Sequence, residues 1–139
     1  MIKVLPIQSK ADQELDCARC GIPFRPDTLA YRATVNDVFV GMCQFKLSPT
    51  GGEIYDIVEL EGHRDFEAMF VMGRAALNFI DLCGVHYARI VSDKLDESLL
   101  RAIGFSKNKD GIFDVDLTDF FVHPCQHHKE PSPYDTPMQ

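Results

Sequence analysis

Apolar and polar positions change their period several times along the chain, and each change marks an element. From Val38 to Leu47 both faces are largely apolar, with Val38, Val40, Met42 and Gln44 set against Phe39, Gly41, Cys43 and Phe45. A strand of that kind is covered on both sides. Glu53 to Glu61 alternates instead, which puts Ile54, Asp56, Val58 and Leu60 on one face and Glu53, Tyr55, Ile57 and Glu59 on the other. From Phe66 to about Leu82 the period becomes helical. Glu67, Arg74, Asn78 and Asp81 fall on one narrow stripe, and nearly everything else is apolar. A helix so apolar around its circumference packs deeply against a sheet face, or else against a second copy of the chain as a homodimer interface. Met69 and Met72 read as fillers of irregular gaps within it.

The flanking segments complete the order. Met1 to Ile7 predicts a short strand stopped at Pro6, and Ser9 caps a helix over Lys10 to Cys20 that Gly21 ends. Pro23 and Pro26 hold a loop open. Leu29 to Val35 pairs with the strand from Val38 across the turn Asn36-Asp37. Ser48 to Gly52 is a turn, Asp65 caps the apolar helix, and Gly84 closes it. Tyr87 to Val91 is a short buried strand. Because a helix separates it from the strand at Glu53, the two are expected to be parallel neighbours. Asp96 to Ile103 is a two-turn helix with acidic residues at its start, where they suit the dipole. Asn108 to Gly111 turns the chain into a last strand, Ile112 to Leu117. The expected architecture is a mixed α/β (α+β) domain over residues 1–128, followed by a polar, proline-rich tail over 129–139.

Composition narrows the function classes. The chain has 139 residues, enough for one domain with a real core, and 14 Lys and Arg against 21 Asp and Glu give a net charge of -7. With no basic stripe, nucleic acid is not an expected partner. The first residues carry too short an apolar run for a signal peptide or a membrane span. Five cysteines without an export signal point to reduced thiols and a cytoplasmic setting. Cys17-Ala-Arg-Cys20 has metal-ligand spacing, and His123 to His128 supplies further donors. A zinc site of Cys17, Cys20, Cys125 and His127 would tie the two ends of the domain together. Cys43 and Cys83 sit in apolar runs and read as small core residues, and the plainer reading of His123 to His128 is a solvated tail end.

Three local pieces resemble the GNAT superfamily of acyl-CoA-dependent N-acyltransferases. They are the extended strand to Leu47 meeting Glu53 to Leu60 through a glycine-rich turn, the helix ending Leu82-Cys83-Gly84 before Tyr87-Ala-Arg-Ile-Val91, and Leu99-Leu-Arg-Ala-Ile-Gly-Phe105. The resemblance covers Leu29 to Leu117. It implies a single GNAT-like domain with a central twisted mixed sheet of about six strands flanked by helices. It also implies transfer of an acetyl group from acetyl-CoA to an amine.

In that family, backbone N–H groups at the start of the helix after the central strand bind the pyrophosphate, through a Gln/Arg-x-x-Gly-x-Gly/Ala pattern. The corresponding stretch here is Glu61 to Met69. Arg64 stands at the basic position, with Glu67 and Met69 where small residues are usual. Framed on His63, those positions become Phe66 and Ala68. The resemblance thus assigns the cofactor to Val58, Leu60, Gly62, His63, Arg64, Asp65 and Phe66, with an opening beside them between the strands 38–47 and 53–60. Many family members carry a proton-donating Tyr where this chain has Leu100. Glu59 or Glu53 would then act as base, and Tyr55 or Tyr87 as donor. The alternative is a GNAT-fold module that has lost catalysis and binds a ligand, a metal or a protein partner, with both glutamates plain surface charges and both tyrosines packed.

Overall fold

A computed structural model describes residues 1–121. Seven strands and three helices follow one another as β1 (Ile2–Pro6), α1 (Lys10–Cys20), β2 (Leu29–Val35), β3 (Val38–Ser48), β4 (Gly51–Glu59), α2 (Phe66–Leu82), β5 (Tyr87–Ile90), α3 (Glu97–Ile103), β6 (Ser106–Lys107) and β7 (Phe113–Asp116). They form a single mixed sheet in the order β1-β2-β3-β4-β5-β7-β6. The expected count of about six strands falls one short because β6, two residues paired to β7, has no hydrophobic pattern to betray it. Cys125 and His127 lie outside the described residues, as does the segment 129–139.

Local chemistry explains the element ends. The Ser9 hydroxyl accepts the Asp12 N–H at 3.0 Å, and Gly21 closes α1 in the left-handed region at φ 71°. Asn36 and Asp37 both adopt positive φ (51° and 69°), the backbone of a tight hairpin whose twist matches its strands. The turn expected over Ser48 to Gly52 is tighter than that. Ser48 pairs with Gly51, so only Pro49 and Thr50 bridge β3 and β4.

Helix α2 lies on one face of the sheet. Ala68, Met69, Met72, Gly73, Ala76, Leu77 and Ile80 are buried there, while Glu67 and Asn78 face solvent together with the apolar Phe66, Val71 and Leu82. The fit is close. A Cβ at Gly73 would stand 2.4 Å from Ile103 Cδ1, and one at Gly41 would stand 2.4 Å from the Val58 carbonyl oxygen. Helix α1 covers the other face with a smaller cluster of Cys17, Ala30, Phe39 and Met42. Among the described residues no helix is long and apolar enough to cross a membrane.

Two features of β4 position the site. Phe45 pairs with Ile54 but Gln44 pairs with Asp56, so Tyr55 is an extra residue in β4, a bulge. The bulge breaks the strict alternation expected for this strand. Ile54 and Ile57 join the cluster under α2, while Val58 packs with the cluster under α1 and Asp56 bonds to Arg25 of the loop beyond α1. The second feature is the short parallel pairing with β5, which spans only Gly52–Ile54 against Ala88–Ile90. A bond from Val91 N–H to Ile54 O at 2.9 Å is the last link. Beyond it β4 continues to Glu59 alone.

Candidate functional site

The opening lies between β4 and β5, not between β3 and β4, which stay paired as far as Gly41 and Glu59. On the β4 side, the Leu60 N–H reaches Val40 O at 2.8 Å and the Val58 carbonyl faces Gly41, so both are spent on β3. By the alternation of the ladder, the N–H and C=O of Ile57 and Glu59 point into the gap. An extended ligand laid along β4 would pair with them as a missing strand does.

The gap widens into a groove of about 510 Å³ on the α2 side. Glu59, Arg64 and Phe66 form one end, Lys94 and Asp96 the opposite wall, and Met69 and Leu99 the floor. On the α1 side a smaller pocket of about 280 Å³ includes Ile22, Arg25, Asp56 and Ser92. Ile57, Val58, Lys94 and Leu95 border both, so the two pockets stand back to back across the gap.

The start of α2 is where the missing glycines have their effect. Asp65 caps the helix by accepting the Ala68 N–H at 2.9 Å, and Glu59 Oε2 accepts the Asp65 N–H at 2.7 Å. Two carboxylates therefore occupy amides that an anion would otherwise use. The Phe66 and Glu67 N–H groups have no such partner among the described residues. Glu67, which the resemblance puts at a small-residue position, is exposed and does not fill the corner.

The residues assigned to the cofactor separate accordingly. Val58, Arg64 and Phe66 line the groove. Asp65 is the cap, Gly62 (φ 85°) and His63 form the exposed turn before it, and Leu60 packs on the α1 side. Of the proposed bases, Glu59 stands at the groove. Glu53 lies at the far end of β4, where its bond to Arg89 (2.6 Å) holds its carboxyl below the usual range against the opposing effect of burial. Tyr55 donates to Glu53 at 3.0 Å; burial and that bond raise its hydroxyl above the ordinary value. Tyr87 donates to Asp114 at 2.8 Å at the start of β5, the end away from the gap, and its hydroxyl is also raised, chiefly by burial. Leu100 is buried in the core.

Reading by alternation passed over the one carboxylate that faces the smaller pocket. Asp56 is 7% exposed, and its Oδ2 accepts Arg25 Nε at 2.9 Å and Gln44 Nε2 at 2.7 Å. Gln44, fully buried, also accepts the Arg25 N–H and the Gln13 side-chain amide through Oε1 and donates to Pro23 O. The network pins the loop after α1 against β4. An aspartate inside the apolar run Ile54-Tyr-Asp-Ile-Val58 was the sequence signal for it.

Cys17 and Cys20 sit on helix α1, and the other two residues of the expected zinc site, Cys125 and His127, lie outside the described residues. The Cys17 thiol donates to Gln44 Oε1 at 3.3 Å, and burial, reinforced by Asp56, pushes it up to about 11. Cys20 is raised to about 11, again mainly by burial. With no metal bound, such thiols stay protonated at neutral pH. Among the described residues no group of three His, Cys, Asp or Glu could hold a metal ion.

Neither a protein-family model nor a curated protein matches the sequence. Solved structures do match. A chain of the NatC complex bound to Gag peptide and CoA aligns at TM-score 0.64 and 16% identity, over 84% of this chain and 99% of that one. The PaiA N-acetyltransferase of Thermoplasma acidophilum, in complex with coenzyme A, aligns at 0.59 and 12%, over 84% and 99%. A GNAT-family acetyltransferase of Streptococcus pneumoniae aligns at 0.59 and 13%, over 76% and 88%. At these identities the likeness is one of architecture, and by architecture this chain is a GNAT-fold protein.

Proposed function

We propose that the protein is an acyl-CoA-dependent N-acyltransferase that moves an acetyl group from acetyl-CoA to a primary amine. One observation carries the reading: the β4–β5 ladder ends at Ile54, and the unpaired edge of β4 beyond it borders a groove. Two structures of the same architecture are complexes with coenzyme A, which favours the same ligand here.

In this reading the donor's pantetheine arm pairs with Ile57 and Glu59 in the gap. Its phosphates lie near the Phe66 and Glu67 N–H groups, with Arg64 and Lys94 supplying charge and the carboxylates of Glu59 and Asp65 opposing it. The amine enters from the α1 side. A β4 amide polarises the thioester carbonyl, and the amine nitrogen bonds to the carbonyl carbon as the C–S bond breaks. Beforehand the acceptor's ammonium gives one proton to Asp56, or through water to Glu59, and the second N–H proton lost on amide formation passes to water. With alkyl thiols near about pKa 8.5, the thiolate leaves as the anion and takes a proton from water. Among the described residues no tyrosine lines the groove to supply it. Glu53, Tyr55 and Tyr87 keep structural roles.

The test is a thermal melt of the full chain with CoA and acetyl-CoA, joined to thiol release from acetyl-CoA in the presence of primary amines. A rise in Tm and amine-dependent thiol release support the reading. No rise with millimolar CoA or acetyl-CoA would overturn it and leave a partner-binding module.

A further inference from the structure

The smaller pocket carries a charge pattern that selects among amines. Of its ten lining residues, three are charged: Arg25, Lys94 and Asp56. The sum is one positive charge, a poor environment for a bare ammonium. Asp56 nevertheless offers a buried acceptor, because its Oδ1 has no hydrogen-bond partner among the described residues while Oδ2 takes both bonds from Arg25 and Gln44. Arg25 is the complement. Nε is spent on Asp56, the guanidinium stacks 5.0 Å from the Tyr55 ring centroid, and Nη1 and Nη2 have no partner among the described residues. Its backbone N–H is fixed by Gln44 at 3.1 Å, so the fork is oriented before any ligand arrives. An arginine fork held in one plane matches a carboxylate, which it meets with two parallel bonds.

We propose that the acceptor is an amine carrying a carboxylate close to its nitrogen, of the free amino acid type. Its ammonium sits on Asp56 Oδ1 and its carboxylate on the outer nitrogens of Arg25, with Lys94 adding charge at the rim. Adjacent acceptor and donor groups on the protein then meet adjacent cation and anion on the ligand, and the ligand's two charges offset each other in a pocket that would repel a simple amine. A volume of about 280 Å³ is at the low end for ligand pockets, which suits a small molecule. The inference rests on the acyltransferase reading for its chemistry but not for its binding step.

The test is binding to the full-length protein without any donor, followed by NMR of the Arg25 Nε and Asp56 amide resonances. Glycine, alanine, serine, glutamate and lysine are each titrated against their carboxamides, which keep the amine and lose the carboxylate charge. At least one free amino acid is expected to bind ten-fold or more tighter than its carboxamide. Arg25→Gln should erase that preference and Arg25→Lys should keep part of it, both variants melting cooperatively. In turnover, Arg25→Gln should raise KM for the amino acid far more than it lowers kcat. If no amino acid outdoes its carboxamide, or if the preference survives Arg25→Gln, the inference is overturned. Tm stabilisation by CoA separates the two ideas: amino acid binding without it removes the donor reading alone, and CoA binding without carboxylate preference removes the acceptor inference alone.

Discussion

Neutralising Glu59 should tighten CoA binding. Its carboxylate sits 2.7 Å from the Asp65 N–H, at the corner where the donor's phosphates approach α2. A phosphate on the Phe66 and Glu67 amides would lie within ~6 Å of it. At that separation a pair of unit charges interacts by roughly 3 kcal/mol at an effective dielectric near 20, and by about 0.7 kcal/mol in bulk water. Gly62, His63 and Arg64 are exposed, so the lower half of that range applies. Glu59→Gln keeps an oxygen for the Asp65 N–H and removes the charge. The gain should be about 1 kcal/mol, roughly five-fold in affinity. The cost to the fold should be below about 1 kcal/mol, the difference between a charged and a neutral acceptor. Calorimetric titration of CoA into both proteins reads the first quantity, and pantetheine, which lacks the phosphates, is the control. The gain should shrink at high salt and be absent for pantetheine. Weaker CoA binding by Glu59→Gln, or an equal change for pantetheine, would refute the placement of phosphate at this corner.

The geometry also predicts three outcomes for stability and reactivity. Gly41→Ala sets a methyl 2.4 Å from a backbone oxygen of β4, so β3 and β4 must part; urea unfolding should register a loss of about 1–3 kcal/mol, and an unchanged midpoint would discount the contact. The Arg89 bond holds the Glu53 carboxyl below its usual 4.5, so its contribution is present above that pH and is lost as pH falls through the lower folded value. Glu53→Gln should therefore be less stable than the parent at neutral pH, with the difference closing in acid melts. At pH 8 Cys17 and Cys20, held near 11, and Cys43, raised to about 12 by burial, should resist iodoacetamide, while exposed Cys83 reacts. Peptide mapping in which Cys20 labels as fast as Cys83 would contradict this.

The order of elements was legible because it rests on local signals. Ser9 and Asp65 cap the helices expected of them, Asn36-Asp37 turns the hairpin, and the apolar stretch from Phe66 forms a helix that ends at Leu82 as anticipated. The site was less legible. Its geometry depends on one extra residue in β4, and Tyr55 carries no mark in the sequence that distinguishes a bulge from continued alternation. After that residue side-chain directions reverse relative to Ile54, which is why Asp56 and Val58 lie on the face opposite Ile54 instead of beside it. The corner before α2 escaped for a different reason. Glu67 is the carboxylate that the linear pattern places against phosphate, yet the two that occupy the amides are Asp65, the helix cap, and Glu59, brought back by a turn at Leu60–His63. Arg25 lies in a proline-punctuated loop whose position is set by Gln44, a partner nineteen residues on.

The brevity of the β4–β5 ladder also has a mechanical meaning. Three register pairs join the four strands on one side to the three on the other, so the sheet has a seam at its centre. Helix α2 packs across this seam, against β4 on one side and β5 on the other. Whatever molecule lodges there would act as an eighth strand, stitching the halves together, and slowed hydrogen exchange along β5 and β7 would register its arrival even if no chemistry followed.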